Sequence, residues 1–381
     1  MIPASTMSGF YANPTHRFFA EGGIESLPEA LAPYRPKRVL LVMGAKSFRE
    51  SEACHRLKSR FVGVAIDESE PVSENPSIPF VECFIEEYRG RGIDLVIGIG
   101  GGSAIDAAKV AAVFLTQPSG AFGRHIDLNA DISGPRLPLA AVPTTAGTGS
   151  EVTPYVSVQT AQKKKITITH GHFFPDLAIL DPLLTQSMPP AVTASTGFDA
   201  LSQAIEAFWS VRHTPFSDTH ALRAAALAVR NLATAVREPK NRSARAAMTL
   251  AGCESGLAIA TTATTAVHSV SYPITTYFHV PHGHACALTL AQFIRYNEDV
   301  MHHERYALLW QAMGVSSASQ AASRIEKLME ETGLSRSLAV LGVLGEDIET
   351  IIQNGFRPDR VKNNPKPLTP EALRAILHRI A

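Results

Sequence analysis

The sequence predicts an α/β N-terminal domain, a parallel sheet flanked by helices over residues 1–190, followed by an all-α C-terminal domain over residues 191–381. Three observations predict it. A chain of 381 residues exceeds what one hydrophobic core usually serves. In the first half, short apolar runs alternate with helical stretches, the pattern of a parallel sheet covered on both faces. Beyond Pro189-Pro190 strand-like runs almost vanish, and alanine- and leucine-rich helical periodicity takes over.

Taken in order, Arg38 to Met43 (RVLLVM) reads as a buried strand, closed by Gly44 and followed by a helix. Phe61 to Ile66 (FVGVAI) reads as a second strand that leads into the turn-rich PVSENPSI, and residues 77–90 read as a helix. Asp94 to Ile99 (DLVIGI) is another buried strand and runs straight into a glycine triplet. Leu139 to Val142 is a short strand before PTTAGTGSE. In the second half, residues 192–209, 218–236 and 244–260 carry helical periodicity. There is no internal repeat and no low-complexity segment.

The hydrophobic share of 45% and charged share of 18% are those of an ordinary globular protein. The 35 basic residues balance the 35 acidic ones. That balance argues against a nucleic-acid partner, whose phosphates call for a basic excess. It leaves room for a small anionic substrate, which needs only a local cluster. Cys54, Cys83, Cys253 and Cys286 form no CxxC pair, so no disulfide framework or thiolate zinc site is expected, and a reducing cytoplasm fits. The start, MIPASTMSGFYANPTHRFF, lacks the features of a signal peptide, and no apolar run approaches the roughly 20 residues of a membrane helix. No membrane partner is expected.

Two loops carry the first chemical signal. Gly98-Ile99-Gly100-Gly101-Gly102-Ser103-Ala104-Ile105-Asp106 lies where a strand ends and a helix begins. Glycines there let backbone approach a pyrophosphate, and the helix start supplies amides and a positive dipole end. Alone, such a loop is also what a tight strand–helix turn looks like. Pro143-Thr144-Thr145-Ala146-Gly147-Thr148-Gly149-Ser150-Glu151 also follows a strand, and its hydroxyls suit ribose and phosphate oxygens. Two such loops on one α/β domain point to dinucleotide binding more strongly than either one.

The helical half carries a second signal. Asp199 and Gln203 in GFDALSQAIEAF stand four apart and share a helix face. His268 lies in AVHSVSYPI, and His282 follows fourteen residues later in VPHGHA. A carboxylate and two imidazoles, with a fourth oxygen or nitrogen donor, would hold a divalent first-row metal. An isolated histidine is more often a packing or surface residue, and spacing alone does not decide between the two.

Together, GGGSAIDAAK, PTTAGTGSEVTPY, DPLLTQSMPP, GFDALSQAIEAF, AVHSVSYPI, VPHGHA and the C-terminal NNPKPLTPEALRAIL resemble the successive motifs of the iron-containing (group III) alcohol dehydrogenases, in order and at compatible spacings. The resemblance covers nearly the whole chain. It implies a dinucleotide-binding domain, a helical metal domain and a deep cleft between them. It also implies hydride transfer between NAD(P)H and a small aldehyde or alcohol, with Fe2+ or Zn2+ bound. It assigns nucleotide contacts to Gly100, Gly101, Gly102, Ser103, Asp106, Thr144, Thr145, Thr148 and Ser150, and adds Asn75 (in SENPS) and Lys165 (before ITIT). It assigns metal ligation to Asp199, His268 and His282 and makes a homodimer the expected assembly.

Three positions depart from the family pattern. Gln203 stands where the family usually has histidine, and an amide oxygen is a weaker donor than imidazole. Gln203 then ligates weakly, or His284 replaces it, or the site is metal-poor and Gln203 meets the substrate; a retained metal is favoured because the other three ligand positions match. Tyr272 stands where many members carry a histidine that relays protons, a task less suited to a phenol with an unperturbed pKa of about 10. It is read either as a catalytic proton carrier or as a packing aromatic. Gly44 replaces the acidic residue that repels a 2′-phosphate in NAD-preferring members, and Lys46 is close by, so NADPH is permitted, and either it or NADH could be the preferred cofactor.

HSVSYPITTYFHVPHGHACALTL looks closest to members that reduce phosphonoacetaldehyde to 2-hydroxyethylphosphonate. That substrate needs cations, for which His279, His284 and Arg357, with Arg360 and Lys362, are candidates. The alternatives are a general short-chain alcohol dehydrogenase, a metal-independent enzyme resembling maleylacetate reductase, and a nucleotide-binding protein without turnover. Asp199, His268 and His282 together speak against the last.

Overall fold

In the computed structural model, residues 12–381 are described except 46, 129–131, 163 and 302. Lys46 therefore lies outside the described residues. Two compact units are present: Asn13–Thr145 with Ser150–Ser187, and Met188–Ala381 with Ala146–Gly149.

The first unit contains strands β1 (His16–Phe19), β2 (Arg38–Met43), β3 (Ala65–Glu68), β4 (Leu95–Gly100), β5 (Leu139–Pro143), β6 (Tyr155–Gln159), β7 (Lys165–Thr169) and β8 (Leu177–Leu180). Between them run helices α1 (Leu27–Leu31), α2 (Glu52–Arg60), α3 (Ile78–Tyr88), α4 (Gly102–Phe114) and α5 (Ala121–Leu128). Six strands form one parallel sheet in the order β1-β8-β5-β4-β2-β3, and β6 pairs antiparallel with β7. Burial on both faces explains the unbroken apolar run of β2. Val39, Leu41 and Met43 pack with Leu27, Leu31 and Leu57, whereas Leu40 and Val42 meet Phe84, Ala104 and Ala108.

The strand expected over 61–66 is displaced to Ala65–Glu68, with a turn at 62–63. Gly63 takes a positive φ of 75°, a turn conformation that ends the extension the apolar residues suggest. β1 left no periodic signal because all four of its residues are exposed at the sheet edge.

Beneath the loops that follow β4 and β5 lies a buried polar cluster. Lys109 on α4 is fully buried and donates to the Ser150 hydroxyl (2.8 Å) and the Tyr155 carbonyl (2.8 Å), with Asp106 at 3.6 Å. Asp106 in turn accepts from the Ser150 hydroxyl (2.5 Å) and the Ser157 amide (2.9 Å). Burial drives the Lys109 pKa down to about 8, opposed by Asp106 and Glu151, and drives Glu151 up to about 7. Removing one partner of such a pair leaves the other charge uncompensated. Lys109→Met is therefore expected to destabilise this unit by about 3 kcal/mol, measured as a lower urea midpoint. An unchanged midpoint would show that the cluster contributes no net stability.

The second unit is helical: α6 (Pro190–Trp209), α7 (Pro215–Arg237), α8 (Arg242–Thr262), α9 (Ala266–Phe278), α10 (His282–Asn297), α11 (His303–Met313), α12 (Ala318–Glu331), α13 (Ile348–Gly355), α14 (Pro358–Val361) and α15 (Pro370–His378). Side-chain caps start several of them. Thr214 and Ser217 form a reciprocal capping box on α7, and Asn241 caps α8 through the Ala244 amide. α6 is the central helix, buried at nearly every position from Thr193 to Trp209 and packed against α7, α8 and α10. Among the described residues, no helix is long and apolar enough to cross a membrane.

Candidate active site

In the first unit the order in which successive strands join the parallel sheet reverses between β2 and β4, the kind of switch point at which open α/β sheets bind ligands beyond the strand ends. Several of the candidate nucleotide residues lie at this point. Gly44 follows β2, and Gly100 ends β4 with φ +154°, where a Cβ would stand 2.9 Å from that of Ala104. Only glycine lets the chain turn into α4 this closely. α4 starts at Gly102 with neither a side-chain cap nor an acidic residue in its first turn. Its first amides therefore lack intrahelical partners and favour an anion.

Neighbouring loops close on this point. The Thr144 amide donates to the Gly100 carbonyl (2.9 Å), and Thr145 lies against Gly101. Asn75 takes a left-handed φ of 51°, and its amide donates to the Ser103 hydroxyl (3.1 Å). Lys165 opens β7, paired in register with Gln159. Asp106 and Ser150 instead turn their side chains into the buried Lys109 cluster. Thr148 belongs to the second unit.

In the second unit, Asp199 on α6, His268 on α9, and His282 and Cys286 on α10 bring one potential donor atom each within 4.8 Å of the others. Asp199, His268 and Cys286 are buried, and His282 is half-buried. His268 Nε2 lies 3.3 Å from the Asp199 carboxylate and His282 Nε2 3.9 Å from it. The His268 and His282 rings meet edge to face at 5.4 Å.

Glu206, which the sequence reading missed, fixes this arrangement. One carboxylate oxygen accepts from the Thr265 amide (2.9 Å), the Thr265 hydroxyl (2.7 Å) and the His268 amide (3.3 Å), satisfying the first turn of α9. The other makes a very short contact with His268 Nδ1. A carboxylate on Nδ1 holds the imidazole with Nε2 turned toward Asp199, the outer-shell arrangement of metal-bound histidines. Burial disfavours charge on His268, but Cys286, Glu206 and Asp199 hold its pKa well above the usual imidazole range. Such electron-rich surroundings suit a cation. Two imidazoles, a carboxylate and a thiol are donors that a divalent first-row metal accepts, so the residues present fit one.

Gln203, four residues after Asp199, has both ends of its amide engaged. Its oxygen accepts from the Ser255 hydroxyl (2.9 Å), and its nitrogen faces the Thr148 carbonyl at 3.4 Å. Tyr272 stacks on His282 with centroids 5.8 Å apart and planes within 8°. The Arg357 guanidinium lies 5.1 Å from the Tyr272 ring centroid, and the Arg357 amide donates to the Ser269 hydroxyl of α9 (2.8 Å).

His284 points elsewhere: its Nε2 donates to the Ser335 carbonyl (2.7 Å), and burial lowers its pKa. His279 is an exposed left-handed residue that closes α9. Arg360 is buried and Lys362 exposed. Of the cationic candidates, Arg357 is the one that the contacts join to the cluster through Tyr272 and His282. Cys286 lies four residues after His282 and Glu206 seven after Asp199, so helical spacing places both on faces the sequence had already marked.

Comparison with known proteins finds relatives over nearly the whole chain. Residues 14–182 match the sequence family described as iron-containing alcohol dehydrogenase, and residues 193–381 match the C-terminal part of the Fe-containing alcohol dehydrogenase family. The chain is 33% identical to 1-propanol dehydrogenase PduQ of Salmonella typhimurium, over 81% of this chain and 84% of that one. It is 31% identical to a sulfoacetaldehyde reductase of Bilophila wadsworthia, over 79% and 80%. The crystal structure of sulfoacetaldehyde reductase from Bifidobacterium kashiwanohense in complex with NAD+ superposes with a TM-score of 0.92. That relative shares 35% identity, with 98% of this chain and 99% of the other covered.

Proposed function

Because the chain belongs to the iron-containing alcohol dehydrogenase family, an NAD(P)-dependent oxidoreductase of alcohols and aldehydes, we propose that it reduces a short aldehyde carrying an anionic head group, phosphonoacetaldehyde above all. The observation that carries this reading is the position of Arg357. Its guanidinium sits over Tyr272, which stacks on His282 of the donor cluster. A substrate whose carbonyl meets the cluster would find a cation one aromatic ring away for its phosphonate. Two relatives that act on sulfoacetaldehyde, a similarly small anionic aldehyde, support the same substrate class.

We assign the metal to Asp199, His268 and His282, with Glu206 holding the His268 ring. A bound divalent ion would supply Lewis-acid polarisation of the carbonyl, a contribution of several kcal/mol. NAD(P)H would supply the hydride. The chain's own residues prepare for both. The uncapped start of α4, with Gly100, Gly101, Gly102, Ser103, Thr144 and Thr145, receives the pyrophosphate. Asp106 and Ser150 act from below, holding that loop through Lys109. Asn75 and Lys165 border the nucleotide, and Gly44 presents no carboxylate to a 2′-phosphate, so both NADH and NADPH are accepted. Tyr272 holds a proton at its hydroxyl for the alcohol that forms.

Cys54, Cys83, Cys253 and Cys286 form no disulfide, which fits a reducing cytoplasm. The edge strand β1 exposes Phe18 and Phe19, which supports a homodimer.

The test compares kcat/KM for phosphonoacetaldehyde, sulfoacetaldehyde and propanal, each with NADH and NADPH. The phosphonate is expected to be the best substrate. Arg357→Ala should lower its kcat/KM about 10- to 100-fold, mostly through KM, and propanal's by far less. Turnover of propanal alone, or an equal effect of the variant on all three, would contradict the proposal.

A further inference from the structure

We infer that Cys286 is the fourth protein donor to the metal, a role for which the sequence offers Gln203 or His284; this rests on the metal-dependent reading above. Two independent observations meet here. The first is that the Gln203 amide oxygen is already an acceptor for the Ser255 hydroxyl (2.9 Å), and its nitrogen faces the Thr148 carbonyl. Turning that oxygen toward the ion would break the buried Ser255 bond and leave the hydroxyl with one partner fewer. Ser255 comes from α8, so α6 and α8 together hold the amide in its present place.

The second observation is the placement of Cys286. It is fully buried one helical turn beyond His282, and its sulfur lies within 4.8 Å of the donor atoms of Asp199, His268 and His282. Bonds of about 2.0–2.3 Å to nitrogen, oxygen and sulfur give tetrahedral donors separated by roughly 3.3–3.8 Å. Small side-chain rotations therefore bring the four onto one ion. When the S–metal bond forms, the S–H bond breaks and its proton leaves to solvent, one per ion bound. The thiolate and the Asp199 carboxylate then balance the two charges of the ion. A sulfur donor also shifts preference from oxygen-loving metals toward zinc.

Cobalt(II) is the probe, because a thiolate bound to it gives an intense charge-transfer absorption in the near ultraviolet, separate from the ligand-field bands in the visible. The chelated full-length protein is titrated with Co2+ alone. Wild type is expected to show both sets of bands. Cys286→Ser, nearly the same size, should keep the ligand-field bands, lose the near-ultraviolet one and bind at least about 10-fold more weakly. Cys253→Ser and Gln203→Ala should retain the charge-transfer band, and circular dichroism of each variant checks that it folds. Ligand-field bands without a thiolate band in wild type would overturn the Cys286 assignment and leave the metal reading standing. So would a thiolate band that survives in Cys286→Ser. Failure of wild type to bind Co2+ at all would overturn both.

Discussion

Replacing Gly283 with alanine is expected to cost the protein its metal and at least 99% of its turnover. Gly283 is the second residue of α10, one position after His282 and three before Cys286. A Cβ at this position would stand 1.7 Å from the Ser195 carbonyl oxygen and 3.0 Å from the Asp199 amide, both on the backbone of α6. Backbone cannot rotate aside as a side chain can. The added methyl therefore has to push α6 and α10 apart by an ångström or more. That separation acts directly on the cluster, since α6 carries Asp199 and α10 carries His282 and Cys286. A displacement of about 1 Å at a reacting centre costs roughly 100-fold in rate, and overpacking adds about 1–3 kcal/mol of instability. Metal content, melting temperature and kcat/KM measured on the same preparation check this. Wild-type values for all three would mean that α6 and α10 do not pack as described.

Much of the architecture was legible because it rests on local signals. β2, β4 and β5 are buried on both faces and so appear as unbroken apolar runs. The long helices of the second half have strong periodicity over many turns. β1 was invisible because an exposed edge strand has no alternation to read. β3 was displaced because a turn at Gly63 outweighs the apolar residues around it.

The site divides in the same way. Asp199, His268 and His282 could be singled out from residue type and spacing. Glu206 could not be told from an ordinary helix-surface acid until α9 was seen to begin against it. Gln203 looked like a ligand from its position four residues after Asp199. What claims its oxygen is Ser255, 52 residues away in sequence, and no local pattern announces such a contact. Cys286 stands four residues after His282, but a single thiol with no CxxC partner carries no metal-site signal of its own in the sequence. Buried polar partners are thus where sequence reading fails: which group satisfies which is decided by tertiary packing.

We propose that the chain reduces its aldehyde with a divalent ion held by Asp199, His268 and His282. Without that ion, the developing negative charge on the carbonyl oxygen would have no Lewis acid to stabilise it. A loss of several kcal/mol of transition-state stabilisation corresponds to about 1,000-fold or more in rate. The most direct measurement is NADH-linked reduction of phosphonoacetaldehyde by chelated, metal-free protein, followed during titration with Zn2+ or Fe2+. Turnover is expected to fall at least about 1,000-fold on chelation and to recover with saturation at one ion per chain. Undiminished turnover by protein shown to hold no metal would contradict it.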